Sequence, residues 1–284
     1  MSEQTSKPGF PLPTVLTFSE HEPRLQDGTR SWTARGQNFS VRWIEAAAPQ
    51  AFVQIDCADE AMVLLLEGTL EAAGEGATCI ASGKTVCILS AGKWRLKLGD
   101  SALCAVLESL REDAAVDAVN GSTYAVRDAR VRGVGAAYAR VQPQFTAQAM
   151  RVEDIEASPQ KPRLKMVQTS TMSINWVEYE GARDRTALSP HSHSDIEQGS
   201  LALAGEFEHH LRWEWGSNAN DWQDDRHIRL GSPSLMVVPA TVIHTSEGVG
   251  PGRHILIDVF SPPRGDCIAT GWVFNAGDYT APAV

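Results

Sequence analysis

The stretch "GEFEHHLRWEW", residues 205–215, alternates strictly. Its odd positions carry Phe207, His209, Leu211, Trp213 and Trp215, and its even positions carry Glu206, Glu208, His210, Arg212 and Glu214. Successive side chains leave a strand on opposite faces, so this period of two predicts a strand with one buried face. Outward from it, short apolar runs broken by Gly, Pro, Asn and Asp recur along the 284 residues. Helical periodicity is weak, apart from a candidate short helix at "REDAAVDAVNG" (111–121). The pattern predicts an all-β chain built as antiparallel barrels or sandwiches.

The chain also repeats itself. Residues 39–46 read "FSVRWIEA" and residues 172–179 read "MSINWVEY", with Ser40/Ser173, Trp43/Trp176 and Glu45/Glu178 identical. Glu60 stands eight residues before Gly68, and Glu197 stands eight before Gly205. "ILSAGKWR" (88–95) matches the shape of "VVPATVIH" (237–244), which sets Arg95 where His244 stands. Both copies then run into an apolar strand, "ALCAVLESL" and "HILIDVF". Four landmarks in one order predict two tandem copies of one domain. The expected division is an N-terminal barrel over 1–112, a linker carrying the candidate helix over 113–150, and a C-terminal barrel with a tail over 151–284. The second copy holds about a dozen extra residues, for which "SNANDWQDD" is the natural insertion. Trp43 and Trp176 recur at the same place, which argues for a shared packing role.

Composition narrows the class. Hydrophobic content of 43% with 21% charged residues describes an ordinary globular protein. A net charge of −10 with no basic run opposes a nucleic-acid surface. The longest apolar run, "AMVLLL", is too short to span a membrane as a helix. The N-terminus has no apolar core for a signal peptide. Five cysteines without a CxxC pair suggest a reducing compartment, so the expectation is a cytoplasmic protein.

One stretch carries chemistry. In "SPHSHSDIEQ" (189–198), His191 and His193 share a face if the segment is extended. An irregularity after His193 could return the Glu197 carboxylate to that face. The second copy supplies His244 at the end of a later strand. His191, His193, Glu197 and His244 would surround a divalent ion with a ligand charge of −1 and leave positions open, as a catalytic rather than a structural metal requires. The alternative is a polar barrel mouth without metal. His209 should point inward beside Phe207 and Trp213, either as an acid/base or partner to the ligands, or as a hydrogen-bonded core histidine. Gln198 follows a ligand and could touch substrate, or lie exposed. His210 and His227 are expected to face solvent.

The order HxH, three residues, Glu, seven residues, Gly, then Pro-x-Thr-x-x-His resembles the two cupin motifs. Three departures stand out: seven residues rather than six between Glu197 and Gly205, Thr241 where a Gly is usual, and Arg185 in place of the leading glycine. Through the repeat the resemblance covers nearly the whole chain, which is similar to a bicupin of two jelly-roll domains. The resemblance implies one divalent metal ion (Fe, Mn, Zn or Ni) and a small-molecule substrate. The first expectation is an Fe(II) dioxygenase acting on a small oxygenated organic acid or ketone. The alternatives are a non-redox isomerase, hydrolase or lyase of a sugar acid or keto acid, and a non-catalytic ligand-binding or sensor protein. Bicupins often pair, and the tail residues Trp272, Phe274 and Tyr279 need cover, so a homodimer is expected, with packing within the chain as the alternative. In the N-terminal copy Gln54, Asp56 and Arg95 fall at the histidine positions. There a charged cluster of Arg95 with Asp56 and Glu60 is expected in place of a metal, the alternatives being a carboxylate-rich metal site or an anion-binding pocket centred on Arg95.

Overall fold

A computed structural model describes residues 12–112 and 114–282. Among the described residues almost all regular structure is β, in antiparallel sheets, with one α-helix at Gly265–Ala269. Each half folds as a large sheet facing a smaller one. In the N-terminal half the large sheet runs in the order Ala147–Arg151, Thr85–Leu89, Ala61–Glu67, Leu103–Ser109, Phe39–Ala46, Thr29–Arg35, Arg24–Gln26. Its smaller sheet runs Phe52–Cys57, Gly92–Leu98, Thr69–Gly74, Ala77–Ser82. In the C-terminal half the large sheet runs Thr14–Thr17, Ser234–Val238, Gln198–Ala204, Arg253–Phe260, Ser173–Glu180, Lys165–Gln168. Its smaller sheet places Glu206–Arg212 between Arg226–Leu230 and Ile243–Val249.

The two repeats exchange their first strands. Thr14–Thr17 pairs with Ser234–Val238 of the second half, and Ala147–Arg151 pairs with Thr85–Leu89 of the first. The division at 112/113 and 150/151 does not describe this exchange. Most of Ala147–Arg151 lies in the expected linker yet belongs to the N-terminal sheet, and the chain start belongs to the C-terminal one. Nor does the candidate helix at 111–121 form. Between residues 114 and 150 the helical structure is one 3-10 turn at Gly121–Tyr124. Val119 N–H is bonded to Thr33 O, and Asn120 exchanges side-chain bonds with the Arg35 backbone, so this segment is laid onto a strand instead.

The outward faces of the two large sheets meet in one continuous core. Phe39, Val41, Trp43, Met62 and Ile88 come from one half; Ile174, Trp176, Leu201, Val237 and Val259 come from the other. Trp43 and Trp176 are both buried here, each with its indole N–H donating to the glutamate two residues on, Glu45 and Glu178. Phe39 closes against Gly199, where an added Cβ would come within 2.8 Å of the ring. Burying a side chain of this kind contributes roughly 1.5–3 kcal/mol, so the shared core joins the halves strongly.

The barrel interiors differ. That of the N-terminal half is apolar, filled by Val53, Ile55, Leu65, Leu70 and Leu96 with Cys57, Cys79, Cys87 and Cys104. All five cysteines of the chain are buried free thiols. Gln54, Asp56 and Arg95 sit on the exposed outer face, so the expected Arg95–Asp56–Glu60 cluster does not form. Arg95 pairs with Gln54 in register and lies over the Phe52 ring, 3.8 Å from its centroid. Along a strand a shift of one position moves every side chain to the other face, which is why Val53, Ile55, Trp94 and Leu96 point inward here. The tail is covered by its own chain in part: Tyr279 is buried with its O–H donating to Glu60 and Trp272 lies beneath Lys161, while Phe274 is exposed. Among the described residues no helix is long and apolar enough to cross a membrane.

Candidate metal centre

His191, His193 and His244 converge in the C-terminal barrel, with ligand nitrogens within 4.8 Å of one another. A backbone bridge sets two of them. His191 N–H donates to His244 O at 3.1 Å, and His244 N–H donates to His191 O at 2.8 Å. Thr241 N–H donates to His193 O at 2.6 Å and holds the third. To make that bond Thr241 takes a φ of 71°, the left-handed region that favours glycine. The glycine expected at this position of the motif thus has a physical reason, and this chain meets the turn with a β-branched residue.

The fourth group is Gln198. Its Oε1 lies 3.0 Å from His193 Nε2 and 3.1 Å from His244 Nε2. Two donations fix the amide: Nε2 of Gln198 donates to Asp258 Oδ1 at 2.9 Å and to Ser200 Oγ at 3.2 Å. His244 donates from Nδ1 to Val242 O at 2.9 Å, and His191 donates from Nδ1 to Ser189 O at 2.9 Å. That leaves the His244 Nε2 as a lone-pair acceptor aimed at an amide oxygen, itself an acceptor. Burial keeps His193 and His244 neutral, with pKa values lowered to about 4 and about 3. Buried polar atoms are normally paired donor to acceptor. Facing acceptors are what a cation resolves, and three imidazoles with an amide oxygen are suitable donors for a divalent transition metal.

Glu197 is elsewhere. It is buried, and its Oε2 accepts from Gln37 N–H in the other half at 2.6 Å. No irregularity returns it to the histidines. Residues 197 and 198 leave the strand on opposite sides, and it is 198 that faces inward. The departure in spacing already carried the signal, because six residues separate Gln198 from Gly205, the family's usual number. Glu60, its repeat partner, does the same in mirror image: its Oε2 accepts from Ser170 N–H of the second half at 2.8 Å. Arg140 and Tyr279 complete the Glu60 contacts.

His209 is fully buried on the inner face, with Nδ1 2.7 Å from Ser246 Oγ and Nε2 without a partner. It stands behind Ser246, which lines a small cavity of about 140 Å³ beside His191 and His244, rather than lining it. Burial lowers its pKa to about 4. Sequence reasoning missed Asp258. This carboxylate is partly buried at the cavity wall and accepts from both Gln198 and Asn175, the latter at 3.0 Å. Burial raises its pKa to about 6. A lone charge inside the apolar run "HILIDVF" was the available sign.

A cavity of about 540 Å³ opens beside the histidines, lined among others by His191, Gln198, Asp258, Lys161, Arg163 and Arg264. Lys161 and Arg163 make no ion pair among the described residues, while Arg264 is held by Asp266. The wall presents positive charge to whatever enters.

No protein-family model matches the sequence, and no curated protein matches it. Solved structures do. The chain superposes on an oxalate decarboxylase from Lactobacillus farciminis in a formate complex with a TM-score of 0.59, at 14% identity, covering 90% of each chain. The fold is a cupin fold. AerE from Microcystis aeruginosa matches with a TM-score of 0.56 at 12% identity, over 89% of this chain and 98% of that one. A variant of Bacillus subtilis oxalate decarboxylase matches at 0.60 and 12% identity, over 90% and 79%. At these identities the likeness fixes the cupin fold and leaves function to the site.

Proposed function

We propose that this cupin is a metal-dependent enzyme acting on a small organic acid or ketone, with one divalent ion held by His191, His193, His244 and Gln198. The observation that carries the reading is the Gln198 oxygen facing two imidazole nitrogens, beside a cavity walled by Lys161, Arg163 and Arg264. When bound, the ion supplies Lewis-acid polarisation of a substrate oxygen and, if it is iron, access to dioxygen chemistry. The chain's own residues do the rest. Lys161 and Arg163 draw a carboxylate toward the cavity. Asp258 holds the Gln198 amide so that its oxygen faces the ion. With a pKa raised to about 6, Asp258 can also accept a substrate proton near neutral pH.

The ligand set carries no formal charge, in contrast to the −1 expected with Glu197. The full positive charge of the ion therefore acts on the substrate, which favours a non-redox isomerase, hydrolase or lyase. The Fe(II) dioxygenase is the second reading, favoured by the three-imidazole set beside an open cavity. Protein loaded with Mn, Zn, Ni or Fe(II) and offered a panel of keto, hydroxy and sugar acids separates them. Turnover without oxygen supports the first, and oxygen uptake matched to substrate loss supports the second. Failure of every metal and acid to give product would contradict the enzyme reading.

A further inference from the structure

The outer face of the same barrel carries a second group of metal-binding side chains. Glu208, His210 and Glu247 offer ligand atoms within 4.8 Å of one another. They come from two paired strands, Glu206–Arg212 and Ile243–Val249, in which Glu208 stands directly opposite Glu247. Like charges directly opposite on one sheet face are destabilising. The natural relief is missing on one side. Arg229 pairs with Glu208 in register, yet its guanidinium is committed to Glu206 through two bonds of 2.7 and 2.8 Å. Glu208 itself makes no ion pair among the described residues. Glu247 is almost wholly buried, and its one arginine, Arg185, approaches at 3.2 Å from a largely exposed position.

The imidazole is placed to ligate. His210 Nε2 lies 2.9 Å from Glu247 Oε1, on the side of the carboxylates. His210 Nδ1 lies 2.6 Å from Nδ1 of His227, its register partner on the neighbouring strand. A metal-bound histidine characteristically gives its other ring N–H to a partner that fixes the tautomer and the ring. With an ion on Nε2 in place of the proton shared with Glu247, the His210 proton would sit on Nδ1, where His227 Nδ1 stands at 2.6 Å to accept it. Arg185 does the equivalent for Glu247, holding Oε2 while Oε1 faces inward. Both histidines face outward, as their even and odd places on antiparallel strands require, but they act as a pair.

We propose that Glu208, His210 and Glu247 form a second divalent-cation site, for a borderline transition metal such as Zn²⁺, backed by His227 and Arg185. One imidazole and two carboxylates neutralise the ion's charge and leave a position for water. The site is separate from the inner histidines, because strand residues of opposite parity face opposite sides of the sheet. It also abuts the loop that leads to His191, since Arg185 lies in that loop.

The test is Zn²⁺ binding by the full-length chain carrying His193→Ala and His244→Ala, which removes the inner ligands. Calorimetry with elemental analysis should find about one Zn²⁺ per chain. Adding Glu208→Gln should abolish that binding, and adding His227→Ala instead should weaken it about 10–100-fold. If the double variant does not fold, Glu208→Gln in the otherwise native chain should remove one of two bound ions. A folded double variant that binds no Zn²⁺ would overturn the proposal. So would binding that survives both Glu208→Gln and His210→Ala.

Discussion

Glu197 accepts a 2.6 Å hydrogen bond from the backbone N–H of Gln37, across the interface between the two halves. Glu60 and Ser170 form the mirror contact at 2.8 Å. Gln37 and Ser170 stand two residues before the repeated octets, so the clamp is repeated along with the sequence. Glu197→Ala should therefore leave metal content unchanged and cost about 1–3 kcal/mol, the penalty for a buried N–H left without its acceptor. Gln198→Ala should do the reverse, weakening metal retention with a smaller loss of stability. Metal analysis beside urea denaturation of both variants separates the two roles.

The same carboxylate makes stability depend on pH. Burial raises the Glu197 pKa to about 7. In the unfolded chain it titrates near ~4.3. The folded state binds this proton more tightly, so stability is highest below the unfolded value and falls as pH rises toward 7. The loss across that window is roughly 3 kcal/mol for this group. Denaturation of metal-free protein at several pH values should show the decline, and Glu197→Gln should flatten it. An unchanged slope in the variant would mean another group is responsible.

Thr241 is exposed and holds φ at 71°. A left-handed β-branched residue costs roughly 1–2 kcal/mol, partly offset by the greater chain entropy of glycine. Thr241→Gly should raise thermal stability by the equivalent of about 0.5–1 kcal/mol without loss of metal. A lower melting temperature would show that the threonine makes a contact the turn depends on.

Strand exchange predicts that the halves unfold together. Thermal melts followed at the tryptophans and by far-ultraviolet circular dichroism should coincide. Trp176→Ala should cost about 3–5 kcal/mol and shift both signals equally. Removing residues 1–17 should destabilise the C-terminal sheet, because Ser234–Val238 loses its edge partner. Two resolved transitions would contradict this coupling.

Much of the fold was legible. The alternation at 205–215 and the octets around Trp43 and Trp176 state two β-barrels directly. The exchange was not legible, because the partner of an edge strand leaves no trace in its own local sequence. At the site, the three histidines could be read from spacing and type. The fourth residue was expected at Glu197 because a carboxylate is the usual chemistry; its side chain meets Gln37 instead, and strand parity and the six-residue spacing both favour Gln198. Asp258 lay hidden in an apolar run. The N-terminal cluster failed for the reason parity fails everywhere: Arg95 occupies the right place in register and the wrong face.

The inner histidines and Gln198, rather than Glu197, are proposed to hold the ion. Elemental analysis of purified chains tests it most directly, with Glu208→Gln present throughout so that the outer face does not contribute. About one divalent ion per chain is expected in that background, the same with Glu197→Ala, and almost none with His193→Ala. Full metal content in the His193→Ala chain, or its loss in the Glu197→Ala chain while the fold persists, would contradict it.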